Sequence, residues 1–516
     1  MIWLAHFRLI WLAHFRLIWC ILRLNPSIHS VDLAIVLGYL GCVLAFGLWV
    51  GRGQNSTVDY FLGGRSLPWW AVLLSIVATE TSTVTFLSIP GVAFADRGDF
   101  RFLQITFGYI VGRALVAWLF LPLYFRGEPF TCYEVLERRF GVASRRLTSL
   151  LFLVTRNLSD ALRLFLTALA LQQAIGLELW VCVVGLGIVT IAYTYFGGVK
   201  SVVWNDCIQF VIYMIGAAAT LWVIVSLLPE GLPQLIEFGK QEGKFRLFDF
   251  DLGLTKDSMT FWAGLVGGMF LTTATHGTDQ LMVQRYLVAK GQRSATLALL
   301  ISGFVVCLQF ALFLFIGVGL GCFYQAFPPD ITFATAGNDS VLAHFVVHHL
   351  GTGLVGLTLA AILAAAMSTL SSSLNSSATA LINDIYLPLR PQKLSSSQQL
   401  RLSRLASVCF GILQIAIALV SYQFGANKST VYSVLKIAGF ALGPMLGLYF
   451  LAVLAPRVQQ RAALLGFAVG TGVLSWIAMA TSLYWPWYAA TGAGLTFLSG
   501  LLFSTFSLRS VNPNST

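Results

Sequence analysis

The sequence predicts an all-α, polytopic membrane protein of about 13 transmembrane helices, arranged as a 5+5 inverted repeat with one broken helix in each half. Three observations carry that expectation. Of 516 residues, 57% are hydrophobic and only 10% charged, and the mean hydropathy is +0.80. Apolar runs of about 20 residues, long enough to cross a hydrocarbon core, recur along nearly the whole chain. Two of these runs are interrupted by polar clusters at residues 78–83 and 272–280, five spans apart. A matched pair of broken helices in two corresponding halves is the sequence mark of an inverted-repeat secondary transporter.

The runs place spans near 31–50, 67–92, 101–126, 146–176, 177–196, 198–228 and 259–285, then near 290–322, 352–382, 400–424, 429–455, 460–484 and 487–507. The first five-helix half covers 67–228 and the second 259–455. Residues 31–50 add an N-terminal span, and 460–507 two peripheral C-terminal spans. Ahead of them, 1–30 is an extension holding a tandem octapeptide, Ile2 to Leu9 repeated as 10–17. Two copies of eight residues make neither a heptad seam nor a solenoid, and no small-residue cleavage site follows. The segment reads as an interfacial helix or as sequence upstream of the functional start, outside the core.

Loop charge orients the bundle. Loops after odd-numbered spans carry Arg52, Arg65, Arg126, Arg138, Arg139, Lys200, Arg285, Lys290, Arg293, Arg390, Arg401, Arg404, Arg457 and Arg461, among others, whereas 323–351 has no lysine or arginine. The expectation is an outside N-terminus and a cytoplasmic C-terminus in a plasma (inner) membrane. The net charge of +11 lies in these short loops, not on a patch or arm, so nucleic acid is not an expected partner. Eight cysteines sit mostly in or beside apolar runs, without a CxxC pair, and read as small apolar residues.

The polar residues inside the spans are the candidate site. Ala78-Thr79-Glu80-Thr81-Ser82-Thr83 puts a carboxylate and hydroxyls at mid-span, where the acid alone costs roughly 2.5 kcal/mol or more. Thr272 to Gln280 repeats the pattern with His276, Gly277 and Asp279. In the ninth span, Ser368, Ser371 and Ser372 share a face at three- and four-residue spacing. Two readings stand for them: small residues for tight helix packing, or hydroxyl oxygens for a hard monovalent cation. Asp206 either caps the sixth span or serves that cation. Arg156, Asp160 and Arg163 either neutralise one another or leave one arginine fork for an anionic group. Gln104 suits either role.

Several motifs in order resemble the sodium:solute symporter family, which includes sodium–glucose, proline and sialic-acid carriers. They are Tyr60-Phe61-Leu62-Gly63-Gly64-Arg65, the break ending in Ile89-Pro90-Gly91, Gly197 to Asp206, Thr278 to Leu287, and Ala365 to Ser372 followed by Asn383-Asp384-Ile385-Tyr386. The resemblance implies a leucine-transporter-like core. It implies a sodium site of the Ala78, Thr81 and Ala365 carbonyls with the Ser368 and Thr369 hydroxyls. A second sodium site, found in some members, would use Asp206, Ser371 and Ser372. It also implies a substrate site around Glu80, Ser82, Thr85, Phe100, Gln104, Thr272 and His276, to which Arg156 is added as a candidate. Glu80 departs from the threonine or aspartate that several members carry, which leaves its role open. No arginine falls on the position sialic-acid carriers use, since Ser159 aligns there, with Arg156 and Arg163 about one turn away.

The function expected is sodium-coupled import of a small organic solute by alternating access, with a slight preference for a carboxylate because of Arg156, Arg163 and His276. Sugars, amino acids and vitamins stay open as cargo, and the lipid bilayer is the other partner. The alternatives are an intramembrane enzyme using Glu80, His276 and Asp279 as acid–base groups, for which no nucleophile or metal-spacing motif is present, or a solute-sensing receptor.

Overall fold

The structure is a computed structural model and describes residues 29–52, 56–127, 129–252, 254–255, 259–328, 337–390, 394–423 and 430–510. The tandem octapeptide lies outside the described residues. The longer helices are α1 (Ser30–Val50), α2 (Trp69–Glu80), α3 (Thr83–Phe94), α4 (Gln104–Leu119), α5 (Val142–Ile175), α6 (Leu179–Leu227), α7 (Gly268–Thr278) and α8 (Gln280–Leu287). They continue as α9 (Gln292–Ala326), α10 (Val341–His349), α11 (Leu354–Ala380), α12 (Ser396–Gln423), α13 (Thr430–Leu454), α14 (Gln460–Ala480) and α15 (Trp487–Ser510). Short helical turns join them, and no strand occurs among the described residues.

Eight described helices are long and apolar enough to cross a membrane, and the bent pair α2–α3 makes a ninth span. α5 carries Arg156, Asp160 and Arg163 in mid-helix and α7–α8 is interrupted, so neither meets the same test. α6 runs for 49 residues, which at 1.5 Å each far exceeds a hydrocarbon core of about 30 Å. It divides at Gly198, whose φ of 52° and ψ of −161° suit only glycine. The kink falls between the apolar runs expected at 177–196 and 198–228.

α11 is central. Its most apolar window is 89% buried, and it packs on α1, α2, α5, α6 and α12. Small residues such as Ala364, Ala365, Ala366 and Ser368 let these neighbours approach closely. Asp32 near the start of α1 accepts the amides of Gly353 and Gly356, both at 2.7 Å. These are orphan donors at the N-terminus of α11, where a carboxylate is stabilising. α14 and α15 pack on each other and on α13 at the periphery.

The basic loops gather at one end. Leu67 pairs with Ala289, Arg65 donates to the Pro129 carbonyl, and Arg139 reaches the carbonyls of Ala455, Pro456 and Val458. Arg285 is the exception: counted with the loop cations from sequence, it is 1% exposed and lies inside the bundle.

Candidate functional site

The first break falls at Thr81 and Ser82, and α2 and α3 meet there at a 63° bend. Thr81 donates its amide to the Val77 carbonyl, but no backbone bond from Ser82 reaches the Ala78 carbonyl. The Thr81 hydroxyl turns away to Gln309 Oε1 at 3.0 Å. The last carbonyls of a helix have no partner within it, so this end of α2 offers oxygens to whatever faces it. α11 faces it: Thr369 Oγ1 donates to the Thr79 carbonyl at 3.1 Å and lies 3.4 Å from the Ala365 carbonyl.

Asp206 of α6, fully buried, joins the same region. It accepts from Ser75 Oγ at 2.5 Å, Ser368 Oγ at 2.6 Å and Thr79 Oγ1 at 3.4 Å. Arg285 Nη2 is 3.6 Å from its carboxylate and also donates to Ser372 Oγ, while Nε donates to Thr79 Oγ1 at 3.3 Å. Ser371 and Ser372 donate to the Ser368 carbonyl. Each donating hydroxyl keeps its oxygen lone pairs, so Ser368 and Thr369 remain able to ligate a cation. Among the described residues no three His, Cys, Asp or Glu side chains gather as metal ligands. The oxygen set suits a hard monovalent ion.

On its other side the first break meets charge. Arg113 of α4, without exposure, donates to Glu80 through Nη2 and to Ser302 Oγ through Nη1 at 2.9 Å. His276 Nε2 lies 3.7 Å from Glu80, and its Nδ1 pairs with the Tyr286 hydroxyl.

The second break sits at Asp279 alone, with φ −91° and ψ 120°. The threonine-rich run before it stays helical, with its hydroxyls satisfied one turn back: Thr273 to the Met269 carbonyl, Thr275 to Leu271 and Thr278 to Ala274, at 2.7–2.9 Å. Asp279 Oδ1 accepts the Leu281 amide and so caps α8. Asp160 accepts both Arg156 Nε and Nη2 at 2.6 Å and also Arg163 Nη1, and Arg156 Nη1 lies 3.6 Å from Asp279. Pairing therefore consumes Arg156, whereas Arg163 Nε is buried without a partner among the described residues.

A cavity of about 110 Å³ opens between the two breaks, lined among others by Glu80, Thr85, Tyr109, Arg156, Arg163, Thr272 and Asp279. Of the sequence candidates, Glu80, Thr85, Arg156 and Thr272 reach it, and Ser82 is buried at the break. Three others are engaged elsewhere. Phe100 packs against Phe245, Gln104 bonds the Arg101 and Met259 carbonyls and the Asp249 amide, and His276 lies behind Glu80. Sequence reasoning missed Arg113, Tyr109 and the buried role of Arg285. The available signal for Arg113 was its place in mid-run, between the arginines that end the apolar run at 101 and 126.

Apolar helices bent around a cavity lined by both charged and apolar side chains, with two broken spans supplying its walls, define a membrane carrier of the secondary-transporter class. Residues 60–470 match the sodium:solute symporter family, and the chain belongs to that family. It is 30% identical over 488 residues to a sodium/sialic acid symporter of Aliivibrio fischeri, covering 94% of this chain and 95% of that protein. Sodium-coupled monocarboxylate transporter 1 of Mus musculus is also 30% identical, over 88% of this chain and 74% of its own. A substrate-bound, outward-open structure of a Na⁺-coupled sialic acid symporter superposes with a TM-score of 0.85 at 28% identity, covering 93% of this chain and 98% of that one. The activity of this chain is accordingly sodium-coupled transport of a solute.

Proposed function

We propose that the chain imports a small organic carboxylate with sodium by alternating access, in a plasma membrane with the basic loops cytoplasmic. Two halves, 67–228 and 259–455, would rock about the breaks. Sodium sits between the first break and α11, on the carbonyls of Ala78, Thr81 and Ala365 and the hydroxyls of Ser368 and Thr369. Because it bridges α2 and α11 only while they are close, sodium favours one conformation, which coupling requires. A second cation beside Asp206, Ser371 and Ser372 must first displace Arg285 from Ser372.

One observation carries the carboxylate assignment. Arg163 lines the cavity with Nε unpartnered, while Asp160 holds its Nη1. The Nε–Nη2 edge of a guanidinium matches a carboxylate in bidentate geometry. Arg113, Arg156 and Arg163 stand against Glu80, Asp160 and Asp279, so the walls are neutral, and a sodium ion entering with a monoanion keeps them so. A volume of about 110 Å³ is the liquid share of roughly four waters at about 30 Å³ each, which suits a small monocarboxylate better than a nine-carbon sugar acid. Glu80 then serves as the counter-charge of Arg113, with Thr85 and Thr272 as uncharged contacts to the solute.

The experiment is sodium-gradient uptake in proteoliposomes over monocarboxylates, amino acids, sugars, vitamins and sialic acids. Monocarboxylates are expected to lead, and Arg163→Gln is expected to raise their KM about a hundredfold, the worth of a charged hydrogen-bonded pair. Uptake of a neutral sugar in preference to every acid would sink the carboxylate reading.

A further inference from the structure

Five hydroxyl-bearing side chains line the cavity between the breaks: Thr79, Thr85, Tyr109, Thr272 and Thr275. Two are tied to the protein, Thr79 to Asp206 and Thr275 to the Leu271 carbonyl. Their neighbours outside the cavity are tied as well: Thr81 to Gln309, Thr83 to the Ile362 carbonyl, and Thr273 and Thr278 one turn back. Thr85, Tyr109 and Thr272 differ. Their hydroxyls make no hydrogen bond among the described residues. They come from α3, α4 and α7, so open hydroxyls from three helices converge on one space.

Tyr109 stands apart from the two threonines in its surroundings. Its ring meets Phe310 edge-on at 6.4 Å, and Phe310 stacks on Phe102 at 6.1 Å. All three line the cavity, and the phenol oxygen is the one polar atom of these three side chains. Two glycines hold α4 in register behind it. A Cβ at Gly108 would fall 2.4 Å from the Gly264 carbonyl oxygen, and one at Gly112 would fall 2.2 Å from Thr272 Cγ2. Close backbone contact with the seventh span therefore fixes where the phenol stands before any solute arrives, and a preorganised group binds without an ordering cost.

With the carboxylate of the solute at Arg163, the rest of a small acid meets this wall. The space is that of roughly four waters, so any second oxygen of the acid lies close to the carboxylate. A tyrosine hydroxyl both donates and accepts, and it can pair with a hydroxyl or with a keto oxygen. An acid lacking that oxygen shuts out water and leaves the phenol unpaired, which is the arrangement that lets a polar site reject a less polar analogue. We propose that Tyr109 is the specificity-determining residue of this cavity, selecting carboxylates with a hydroxyl or keto oxygen beside the carboxylate over the unsubstituted acids. Thr85 and Thr272 give further contacts to the same oxygens. The carboxylate rests on the reading of Arg163 above; the second oxygen rests on the open hydroxyls alone.

The test compares lactate and pyruvate with propanoate, the same carbon chain without the second oxygen, in sodium-driven uptake by proteoliposomes. The oxygenated acids are expected to show a KM about tenfold lower, equivalent to 1.4 kcal/mol, the order of one hydrogen bond kept or lost. Tyr109→Phe removes only the phenol oxygen. It is expected to raise KM for lactate and pyruvate about tenfold, with propanoate and the maximal rates nearly unchanged, so that discrimination disappears. Unfolding temperature should match the parent's, because no bond within the protein is lost, whereas Arg163→Gln weakens all three acids alike. Equal KM values for the three acids in the unaltered protein, or equal changes for all three in Tyr109→Phe, overturn the role of Tyr109. Should the variant fail to fold, the ratio in the unaltered protein still decides. If a neutral solute leads the uptake screen, the carboxylate reading falls by itself. Tyr109→Phe is then read on that solute: a KM raised about tenfold keeps Tyr109 as the selecting residue, and an unchanged KM removes it.

Discussion

The two broken helices fill their gaps in opposite ways. At the second break, Asp279 caps α8 with its own carboxylate, and the carbonyls before it are taken up: Gly277 by the Tyr124 hydroxyl and Thr278 by Cys132 Sγ. At the first break Ser82 makes no side-chain cap, and the Ala78 carbonyl receives no amide from it. One gap is closed by protein groups; the other keeps oxygen valence for a guest. Two interruptions that look alike in sequence thus differ in what they can hold, and the proposed sodium site uses the first.

The largest expected effect breaks that comparison on its charged side. Glu80 at the first break depends on Arg113, whereas Asp279 at the second has its cap and a looser arginine. Arg113→Met leaves Glu80 without its partner inside the bundle, which costs on the order of 3–5 kcal/mol. Little folded protein is expected by thermal unfolding in detergent, and Glu80→Gln added to Arg113→Met should restore much of it. If the single variant were as stable as the parent, the pair would not be what holds Glu80 in place.

Next in size is the sodium side. Thr369→Ala removes one hydroxyl oxygen and the bond to the Thr79 carbonyl. A rise of about tenfold in half-saturating sodium is expected, equivalent to 1.4 kcal/mol, with unfolding temperature nearly unchanged. An unchanged sodium dependence in a folded protein would move the ion elsewhere. Asp279→Ala is a smaller change, because it removes a helix cap worth about 1 kcal/mol. It should lower stability while leaving half-saturating sodium where it was.

How much of this was legible in the sequence follows from what each signal encodes. Polar clusters in apolar runs marked both breaks, because hydrocarbon tolerates neither stray carboxylates nor open backbone. They spread the second over nine residues where the backbone opens at Asp279 alone, since threonine hydroxyls that bond one turn back look polar yet leave the helix intact. Periodicity put Ser368, Ser371 and Ser372 on one face. It was silent on partners far away in sequence, so Asp206 could not be joined to Ser75, nor Glu80 to Arg113. Arg285 passed for a loop cation because it follows the second break by only six residues; the short α8 carries it inward to Ser372 and Thr79.

The smallest effect sharpens the comparison from outside the spans. The second half of the first broken helix, α3, packs against α10, whose His344 bonds the Tyr324 hydroxyl at 2.7 Å and stacks on His348 at 4.2 Å. Burial, then the charges of His348 and His349, lower the His344 pKa to about 4 from its ordinary 6.5. The folded state therefore disfavours the proton. The stability it contributes is complete above about pH 6.5 and is lost as pH falls toward 4. His344 is partly exposed, so screening keeps the effect small, a fall of roughly 1–2 °C in unfolding temperature between pH 7.5 and 5. Hydrogen exchange should show the loosening in α3 and α10 but not in α8, and His344→Phe should abolish it. Equal loosening of both broken helices would mean that acid acts through groups common to the two breaks, and the difference between them would then lie in their backbone oxygens alone.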